Sequence, residues 1–431
     1  MTADNFAVRE RCRGYLPHMR RTPISRVFHT LHSTWQTFVH TPSRTCSIAT
    51  ALVLLALGPV ACATKRAIVP PEQLTAQGVE RREALRAEFI EKSAPLMMRT
   101  AIGPNADHTV DVLVLSGGGD YGAFGAAVLR SWKSIEGPDA MPEFDVVTGV
   151  STGALIAPFA FLGTDADLKA CENLYRNPKP DWVRTRGILA LLPDNASLAE
   201  VPGLERELRS AVDRDFATRM AAESAKGRLL VVNATDLDQG RAQAFELGSE
   251  AQRAVEHDDI ERLHLIMLAS AGIPGVFPPR EIDGTLYADG GVTSNILYGA
   301  PVNYEDSLAY RFRKAFPNAG PIKVRYWVIF NNQAVSPART VQRTWLDVLG
   351  RSVEVAIRSS TMTGLRHLYS HADAVTRRGD GSIEVRWLAI PNDWRPKVEG
   401  VFKKETMSEL ADIGARLGAD PKSWKTTAPE M

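Results

Sequence analysis

Beyond residue 65 the chain alternates between short apolar runs and longer stretches with helical periodicity. The apolar runs are rich in β-branched residues and end at glycine or polar turn residues, as buried strands do. They predict strands at residues 110–115, 144–148, 228–234, 285–287, 324–330 and 382–390. The intervening stretches predict helices near 71–100, 121–135, 155–161, 200–222, 256–270, 340–372 and 404–418. Alternation of this kind predicts an α/β fold whose mainly parallel sheet is covered by helices on both faces.

The first 63 residues follow a different pattern. Residues 1–45 hold seven arginines against two carboxylates, a charge of +5 in a chain whose total is +1. No charged residue occurs between Arg44 and Lys65, and the middle of this gap, residues 48–57, reads IATALVLLAL. A basic flank followed by a short apolar run and small residues is the pattern of an export signal. The run is short for a membrane span, which needs about 20 apolar residues.

The sequence leaves three outcomes open for this signal. Pro59-Val60-Ala61-Cys62 resembles a bacterial lipobox in which Cys62 becomes lipidated, although such boxes usually carry an aliphatic residue at the position of Pro59. Ordinary cleavage after Ala63 and an uncleaved anchor are the two alternatives. We therefore expect an exported protein that is either associated with a membrane of the cell envelope or periplasmic.

Composition narrows the function classes of the whole chain. The 431 residues are 44% hydrophobic and 23% charged, and the balance of 51 basic against 50 acidic residues creates no field that attracts nucleic acid. Only four cysteines occur, three of them before residue 63, so we expect neither a disulfide scaffold nor a four-thiolate zinc site. After the signal we expect a helical lead-in at 64–109, a domain at 110–300, and a part at 301–431 that completes the same sheet.

The first predicted strand of the domain ends in a glycine motif. Gly117-Gly118-Gly119-Asp120-Tyr121-Gly122 satisfies G-x-G-x-x-G between a strand and a helix, a pattern that can bind the pyrophosphate of a dinucleotide. That function needs an acidic residue at the end of the second strand to hold a ribose. Asp145 stands instead at the start of the second strand. The motif therefore does not predict a nucleotide cofactor, and no other cofactor is expected.

The second predicted strand ends in a motif typical of serine hydrolases. Gly149-Val150-Ser151-Thr152-Gly153 is a G-x-S-x-G sequence between a short strand and a helix, the setting of a nucleophile elbow. The flanking glycines permit a sharp turn, so that the serine hydroxyl projects at the carboxyl edge of the sheet. Ser151 is therefore the candidate nucleophile. The N–H groups of the glycine run 117–119, at a helix N-terminus, are candidate donors to the oxyanion of acyl transfer.

A serine hydroxyl needs a base before it becomes a good nucleophile. Asp289 precedes Gly290 and Gly291 directly after a predicted short strand, and these glycines let another stretch of backbone approach closely. A histidine is the alternative base, because the chain order Ser…Asp…His of α/β-hydrolases is also satisfied by His367 or His371. These histidines are four residues apart with no third ligand nearby in sequence, so no metal site is expected.

Four sequence blocks, in order, resemble those of the patatin-like phospholipase family. They are Gly117-Gly118-Gly119-Asp120-Tyr121-Gly122, Gly149-Val150-Ser151-Thr152-Gly153, Ala269-Ser270-Ala271-Gly272-Ile273-Pro274 and Asp289-Gly290-Gly291. The resemblance covers residues 110–295 and, together with the signal segment, suggests a bacterial member of the exported or lipoprotein type. The chain departs from the family at Tyr121, where Arg or Lys is common.

The resemblance implies a three-layer α/β/α fold and a Ser-Asp dyad in place of a triad. Carried onto this chain, Ser151 is the nucleophile, Asp289 is the base, and the oxyanion hole is formed by Gly117, Gly118 and Gly119. The motifs are supported by further glycines, namely Gly122, Gly149, Gly153, Gly290 and Gly291. An aspartate with its ordinary pKa of about 3.9 is a weak base toward an alcohol, so burial or rigid placement must compensate.

The expected function is a serine acyl hydrolase that forms an acyl-enzyme and releases fatty acid from phospholipid or a related lipid ester. Its expected partners are this lipid substrate and a membrane, and the oligomeric state is left open. The alternatives are a Ser-Asp-His esterase and a non-catalytic lipid-binding protein of the envelope. Residues 276–279 could line an acyl groove, with a core contact as the simpler role. Residues 203–222 and 340–372 could form a lid or a membrane-facing helix, which core packing would explain as well.

Overall fold

A computed structural model describes residues 66–102, 108–187, 190, 195–299, 303–398 and 400–429. The basic leader, the apolar run and Cys62 lie outside these residues. The chain from Ile68 to Met431 forms one compact unit. Within the described part of the chain, no helix is both long enough and apolar enough to cross a membrane.

An eight-stranded sheet forms the centre of this unit. In chain order the strands are β1 (Thr109–Leu115), β2 (Val146–Val150), β3 (Arg184–Thr185), β4 (Ala199–Glu200), β5 (Leu229–Asp236), β6 (Arg241–Glu246), β7 (Arg280–Ile282), β8 (Thr285–Asp289), β9 (Ile322–Gln333) and β10 (Gly381–Ile390). The order in the sheet is β10-β9-β1-β2-β5-β8-β7, with β6 also paired to β5, while β3 and β4 form a separate ribbon. The neighbours from β10 to β5 are parallel, and β6, β7 and β8 pair in antiparallel fashion.

Helices cover both faces of the sheet. In chain order they are α1 (Pro71–Ile102), α2 (Gly122–Trp132), α3 (Thr152–Leu162), α4 (Asp165–Arg176), α5 (Pro202–Ala211), α6 (Arg214–Ala225), α7 (Leu247–His257), α8 (Glu261–Ser270), α9 (Leu308–Ala315), α10 (Trp345–Arg378) and α11 (Lys404–Gly418). Alternate residues of β1 enter two different apolar clusters, as the two-residue period of a strand requires. Leu113 and Leu115 pack with α2 to α8 and α11, whereas Val112 and Val114 pack with α1, α9 and α10. The expected three-layer α/β/α fold is therefore confirmed.

The last third of the chain packs into the same core as the first strands. β9 pairs in parallel with β1, and β10 continues the sheet beyond β9. Four aromatic side chains join these parts: the ring of Trp132 lies 4.7 Å from those of Trp327 and Trp424 and 5.8 Å from that of Phe144. Residues near the C-terminus thus cover the end of α2.

The structure corrects several predicted boundaries. The helix predicted at 200–222 is two helices, because the Asp213 side chain accepts the N–H of Phe216 and begins α6 as a new helix. The helix predicted at 256–270 begins only at Glu261, since Asp258 takes a left-handed conformation (φ 54°) that ends α7. The strands β6 and β7 and the helices α4, α7 and α9 were not predicted.

The aromatic cluster around Trp132 gives a prediction for stability. Trp132 is 1% exposed, so Trp132→Ala leaves a cavity that its neighbours cannot fill, and we expect a loss of about 3–5 kcal/mol in the free energy of unfolding. Denaturant unfolding followed by circular dichroism measures this loss. The matched control is Trp345→Ala at a position that is 62% exposed, where we expect a change within about 0.5 kcal/mol. Equal losses in the two variants would contradict the assigned core.

Candidate active site

Ser151 occupies a sharp turn between β2 and α3. Its backbone has φ 55° and ψ −124°, a conformation that L-residues rarely adopt and that persists only when the surroundings enforce it. The Ser151 carbonyl accepts the N–H of Ala154 at 2.9 Å, which closes the turn. A Cβ atom on Gly149 would clash with the carbonyl of Gly153, and one on Gly153 would clash with the carbonyl of Leu115. Both motif glycines are therefore required by close backbone packing.

The strand register places Ser151 and Asp289 at the same level of the sheet. Val150, the residue before Ser151, is opposite Asn233 of β5, and Asp289 is opposite Ala234 of the same strand. β6 occupies the opposite edge of β5 over residues 231–236, so β2 and β8 pair with the same edge and their C-terminal ends meet there. Ser151, directly after β2, and Asp289, at the end of β8, therefore lie next to each other along that edge. Because β8 runs antiparallel to β5, its C-terminal end lies at this level of the sheet.

The Asp289 carboxylate is 2% exposed and only partly satisfied. Its Oδ1 accepts the N–H of Gly291 at 2.7 Å. Its Oδ2 is buried and accepts no hydrogen bond of full geometry from the described residues, although the Ser151 hydroxyl is close enough to affect its ionisation. Burial raises the pKa of Asp289 to about 6, against the smaller lowering effects of the Ser151 hydroxyl and the Gly291 N–H. Catalytic hydrogen bonds are often loose in a free enzyme and tighten with substrate.

Ser270 and Asn233 connect the serine turn to the aspartate turn. The Ser270 hydroxyl donates to the carbonyl of Asn233 at 2.6 Å and accepts the N–H of Ser151 at 3.0 Å. The Asn233 side-chain amide donates to the carbonyl of Gly290 at 2.9 Å. In addition, the N–H of Asp289 donates to the carbonyl of Gly272 at 2.9 Å. The third sequence block, which contains Ser270, is therefore a brace between the two turns.

The glycine run after β1 lies against the serine turn. The N–H of Gly117 already donates to Asn295, at 3.1 Å to Oδ1 and 3.4 Å to the carbonyl. This finding revises the expected oxyanion hole, because an occupied N–H is not free to stabilise an anion. The N–H groups of Gly118 and Gly119 donate to no acceptor among the described residues. A Cβ on Gly118 would clash with the carbonyl of Asn331, so this loop position requires glycine.

Three buried asparagines hold the loops of the site, and the sequence analysis missed all of them. Asn331 donates to the carbonyl of Ser116 at 2.8 Å and accepts the N–H of Gly125 at 3.1 Å. Asn295 donates to the hydroxyl of Thr361 on α10 at 2.8 Å while it accepts from the glycine loop. Asn233 is the third. A polar amide at the end of an apolar run, as in the sequences of β5 and β9, is the signal that could have found two of them.

An apolar cavity opens beside Ser151. Its walls include Leu155 and Phe159 of α3, Leu208 of α5, and the rings of Phe277 and Phe402. α5 forms the first half of the stretch 203–222 and lines the cavity through Leu204, Leu208 and Ala211. Phe277 lies in the segment 276–279 whose role was left open, and it both lines the cavity and packs in an apolar cluster.

A second buried carboxylate, Asp120, lies in the glycine motif. It accepts the N–H of Phe402 at 2.8 Å and so anchors a residue whose φ of 54° is unusual for a non-glycine. Burial raises the pKa of Asp120 to about 6. Tyr121, at the position where the family carries a cation, packs edge-on against Trp394 with ring centroids 5.3 Å apart. This arrangement holds the segment around Phe402 over the cavity.

Neither candidate histidine contacts the serine or the aspartate. Both lie on α10, where His367 pairs its Nδ1 with the hydroxyl of Tyr298 at 2.6 Å and His371 packs against the Tyr304 ring. On this helix Ile357 is the residue closest to Gly291, and His367 is ten residues further on, about 15 Å along the axis. Within the described residues, no group of three His, Cys, Asp or Glu side chains is placed to hold a metal ion.

A protein-family model and a curated relative match part of this chain. Residues 113–302 match the family model described as patatin-like phospholipase. A curated relative, the cGAMP-activated phospholipase of Pseudomonas aeruginosa (strain BWHPSA011 / Pa011), is 27% identical over 205 residues, which are 43% of this chain and 54% of the relative. The chain thus spans about half the length of that relative. The match confirms the resemblance that the four sequence blocks indicated.

Similarity to solved structures is weaker. The crystal structure of VipD from Legionella pneumophila is 12% identical, with 72% of this chain and 70% of that chain covered and a TM-score of 0.32.

The burial of Asp289 predicts an unusual pH dependence of stability. Because its pKa is higher in the folded than in the unfolded chain, the folded protein binds more protons between about pH 4 and 6, and this residue's contribution to stability falls as pH rises through that window. Asp289→Asn removes the buried charge and keeps the acceptor for Gly291. We expect it to be more stable than the wild type by about 1–3 kcal/mol at pH 7 and equal near pH 4. Thermal unfolding at both pH values tests this; a variant that is less stable at pH 7 would contradict it.

Proposed function

We propose that this chain, which contains a patatin-like phospholipase domain at residues 113–302, is a serine acyl hydrolase that releases fatty acid from phospholipid or a related lipid ester. One observation carries the proposal. A strained elbow presents Ser151 next to a buried carboxylate whose Oδ2 accepts no bond of full geometry from the described residues. An unsatisfied buried acceptor costs stability, and such a cost is typical of sites built for chemistry.

Asp289 acts as the base in the proposed mechanism. It accepts the Ser151 proton while Oγ forms a bond to the ester carbonyl carbon, and the electron pair of the carbonyl moves to oxygen. The intermediate collapses with cleavage of the bond to the leaving alkoxide, which takes the proton from Asp289. A water molecule then repeats the sequence on the acyl-enzyme and releases the fatty acid. A pKa of about 6 makes Asp289 a much stronger base than an exposed aspartate while leaving it ionised at pH 7.

The N–H groups of Gly118 and Gly119 are the proposed oxyanion donors. They precede α2, whose helix dipole favours negative charge at this end. Hydrogen bonds to Asn331 and Asn295 hold the glycine loop in place. The two N–H donors therefore need little reorganisation when negative charge develops on the carbonyl oxygen. Donors that are already oriented stabilise a transition state better than flexible ones.

The apolar cavity beside Ser151 is the proposed acyl site. Its walls are aliphatic and aromatic, and apolar surface buried there contributes about 25 cal/mol for each Å². A long acyl chain therefore supplies binding energy, and a short one supplies little. The phospholipase activity in the name of the curated relative supports a lipid substrate over a small soluble ester.

Export and membrane association form part of the same proposal. The basic segment and apolar run of residues 1–63 support translocation, and Cys62 is the proposed lipidation site. Both lie outside the described residues. Mass spectrometry of the protein from its native membrane distinguishes lipidation of Cys62 from cleavage after Ala63.

The first experiment measures fatty-acid release from phospholipid in mixed micelles. We expect wild-type release to fall by at least about 10³-fold in Ser151→Ala and Asp289→Asn, because each removes one half of the reacting pair. Labelling by a serine-directed phosphonate should require Ser151. Release that is absent from the wild type, with no phosphonate labelling, would contradict the proposal and favour a non-catalytic lipid-binding protein.

A double variant, His367→Ala and His371→Ala, serves as the control for the dyad. It should retain activity within about threefold, since neither ring contacts the reacting groups. A loss as large as that of Asp289→Asn would favour a Ser-Asp-His triad.

The raised pKa of Asp289 predicts the pH profile. We expect kcat/KM for a monomeric ester to fall about tenfold for each pH unit below pH 6, because the protonated carboxyl cannot accept the serine proton. Asp120 has a similar pKa, so Asp120→Asn is the matched control. Its profile should keep the same midpoint. If the midpoint disappears in Asp120→Asn, the titration belongs to Asp120 and not to Asp289.

A further inference from the structure

The first turns of α10 expose an unusual number of large apolar side chains. Trp345 is 62% exposed, Leu346 and Leu349 are each 50% exposed, and Val348 is 48% exposed. These residues are consecutive or nearly so, and at 3.6 residues per turn they occupy one side of the helix, an arc of about 160°. We call these four residues the α10 patch. A monomeric soluble protein rarely leaves such a cluster in water without a partner.

The α10 patch lies beyond the edge of the sheet that carries the dyad. Ile357 packs next to Gly291, directly after the Asp289 strand, and Thr361 bonds to Asn295 beneath the glycine loop. Trp345 precedes Ile357 by twelve residues, about 18 Å along the helix. The first turns of α10 therefore lie beyond the dyad, and the later residues of the helix pack into the core.

Two further apolar residues, one next to the dyad and one before α10, are also exposed. Val292 follows Gly291 and is 47% exposed, and Val335 is 51% exposed in the segment that leads from β9 to α10. This segment is held to α10, because Arg358 donates to the carbonyl of Val335 at 2.8 Å. Apolar side chains directly after Gly291 and in the segment before α10 are thus exposed as well as those of the patch.

The charges around the patch favour an anionic surface. Residues 335–355 hold three arginines against Asp347 and Glu354, a net charge of +1. The Asp347 carboxylate pairs with Arg339 at 2.8 Å, and its pKa is lowered by the N–H of Gln342 and by that guanidinium. Arg343 is exposed and has no ion-pair partner among the described residues. Tryptophan and leucine beside arginine are typical of helices that lie in a membrane interface.

We propose that the α10 patch is the surface through which this protein docks on an anionic lipid bilayer, with Trp345, Leu346 and Leu349 inserted among the lipids. Docking there holds the protein at the bilayer that contains the proposed substrate, with the dyad near the lipid surface. The inference rests on the proposed function, because that function places the substrate in a bilayer. The α10 patch is then a second element that contacts lipid, separate from the cavity beside Ser151.

The test uses the full chain with Ser151→Ala, so that vesicles stay intact. Tryptophan fluorescence is recorded with vesicles of phosphatidylcholine and about one third phosphatidylglycerol, in which the acyl chains carry bromine as a quencher. Trp345→Phe in the same background isolates the signal of Trp345, since the other tryptophans among the described residues are buried. We expect the brominated lipid to quench part of the tryptophan fluorescence. This quenched part should be absent from the Trp345→Phe variant. This local readout is independent of any anchor in residues 1–65.

A paired substitution then separates docking from chemistry. In the Ser151 enzyme, Leu346→Gln with Leu349→Gln should lower hydrolysis of vesicle lipid by at least about fivefold and leave hydrolysis of monomeric 4-nitrophenyl butyrate within about twofold. The matched control is Val79→Gln with Ile90→Gln on α1, where the side chains are 41% and 36% exposed, and it should change neither rate.

Three results would overturn the proposal. They are an unquenched Trp345, equal vesicle hydrolysis by the paired variant and the wild type, and sedimentation showing that the wild type is a dimer which the paired variant dissociates. The last result would show that the patch binds a second copy of the chain. Quenching of Trp345 without any lipid hydrolysis by the wild type would overturn the proposed function and leave the docking surface intact.

Discussion

A carboxylate with one unsatisfied oxygen, buried opposite a strained serine, is the constraint around which this domain is organised. Removing an ionised group from water is costly unless hydrogen bonds replace the lost hydration. Asp289 receives one such bond of full geometry, from Gly291, and a smaller contribution from the nearby Ser151 hydroxyl, and the uncompensated part of the cost appears as its raised pKa. The rest of the domain must be stable enough to hold this charge and the Ser151 backbone in place.

Side-chain amides and hydroxyls provide much of that support. Asn233, Asn295 and Asn331 are each buried, and each bonds to backbone groups of a loop that carries part of the site. A hydrogen bond between buried groups is worth about 1 kcal/mol net, but an unmatched partner costs more, so such contacts fix one loop geometry against others. Ser270 extends the same principle by bonding both to the serine turn and to β5.

Local chemistry determined what could be predicted from sequence. The elbow at Ser151 and the Asp-Gly-Gly turn were recognisable, because sharp turns and close packing demand glycine at fixed positions. The core strands were recognisable because burial on both faces makes them continuously apolar. β6 escaped prediction since its RAQAFE sequence carries charge at the margin of the sheet, and the occupied N–H of Gly117 depends on Asn295, 178 residues away. Contacts of that range leave no local pattern.

Ser151 and Asp289 stand on parts of the sheet with different support. Ser151 follows β2, which has a parallel strand on each side, whereas Asp289 ends the five-residue β8, whose outer neighbour β7 has three residues and lies last in the sheet. Short strands at a margin open more readily than central ones. Local opening of the β7–β8 hairpin is therefore expected to separate Asp289 from Ser151 while the globular core remains folded, so that the proposed dyad is lost before the fold is.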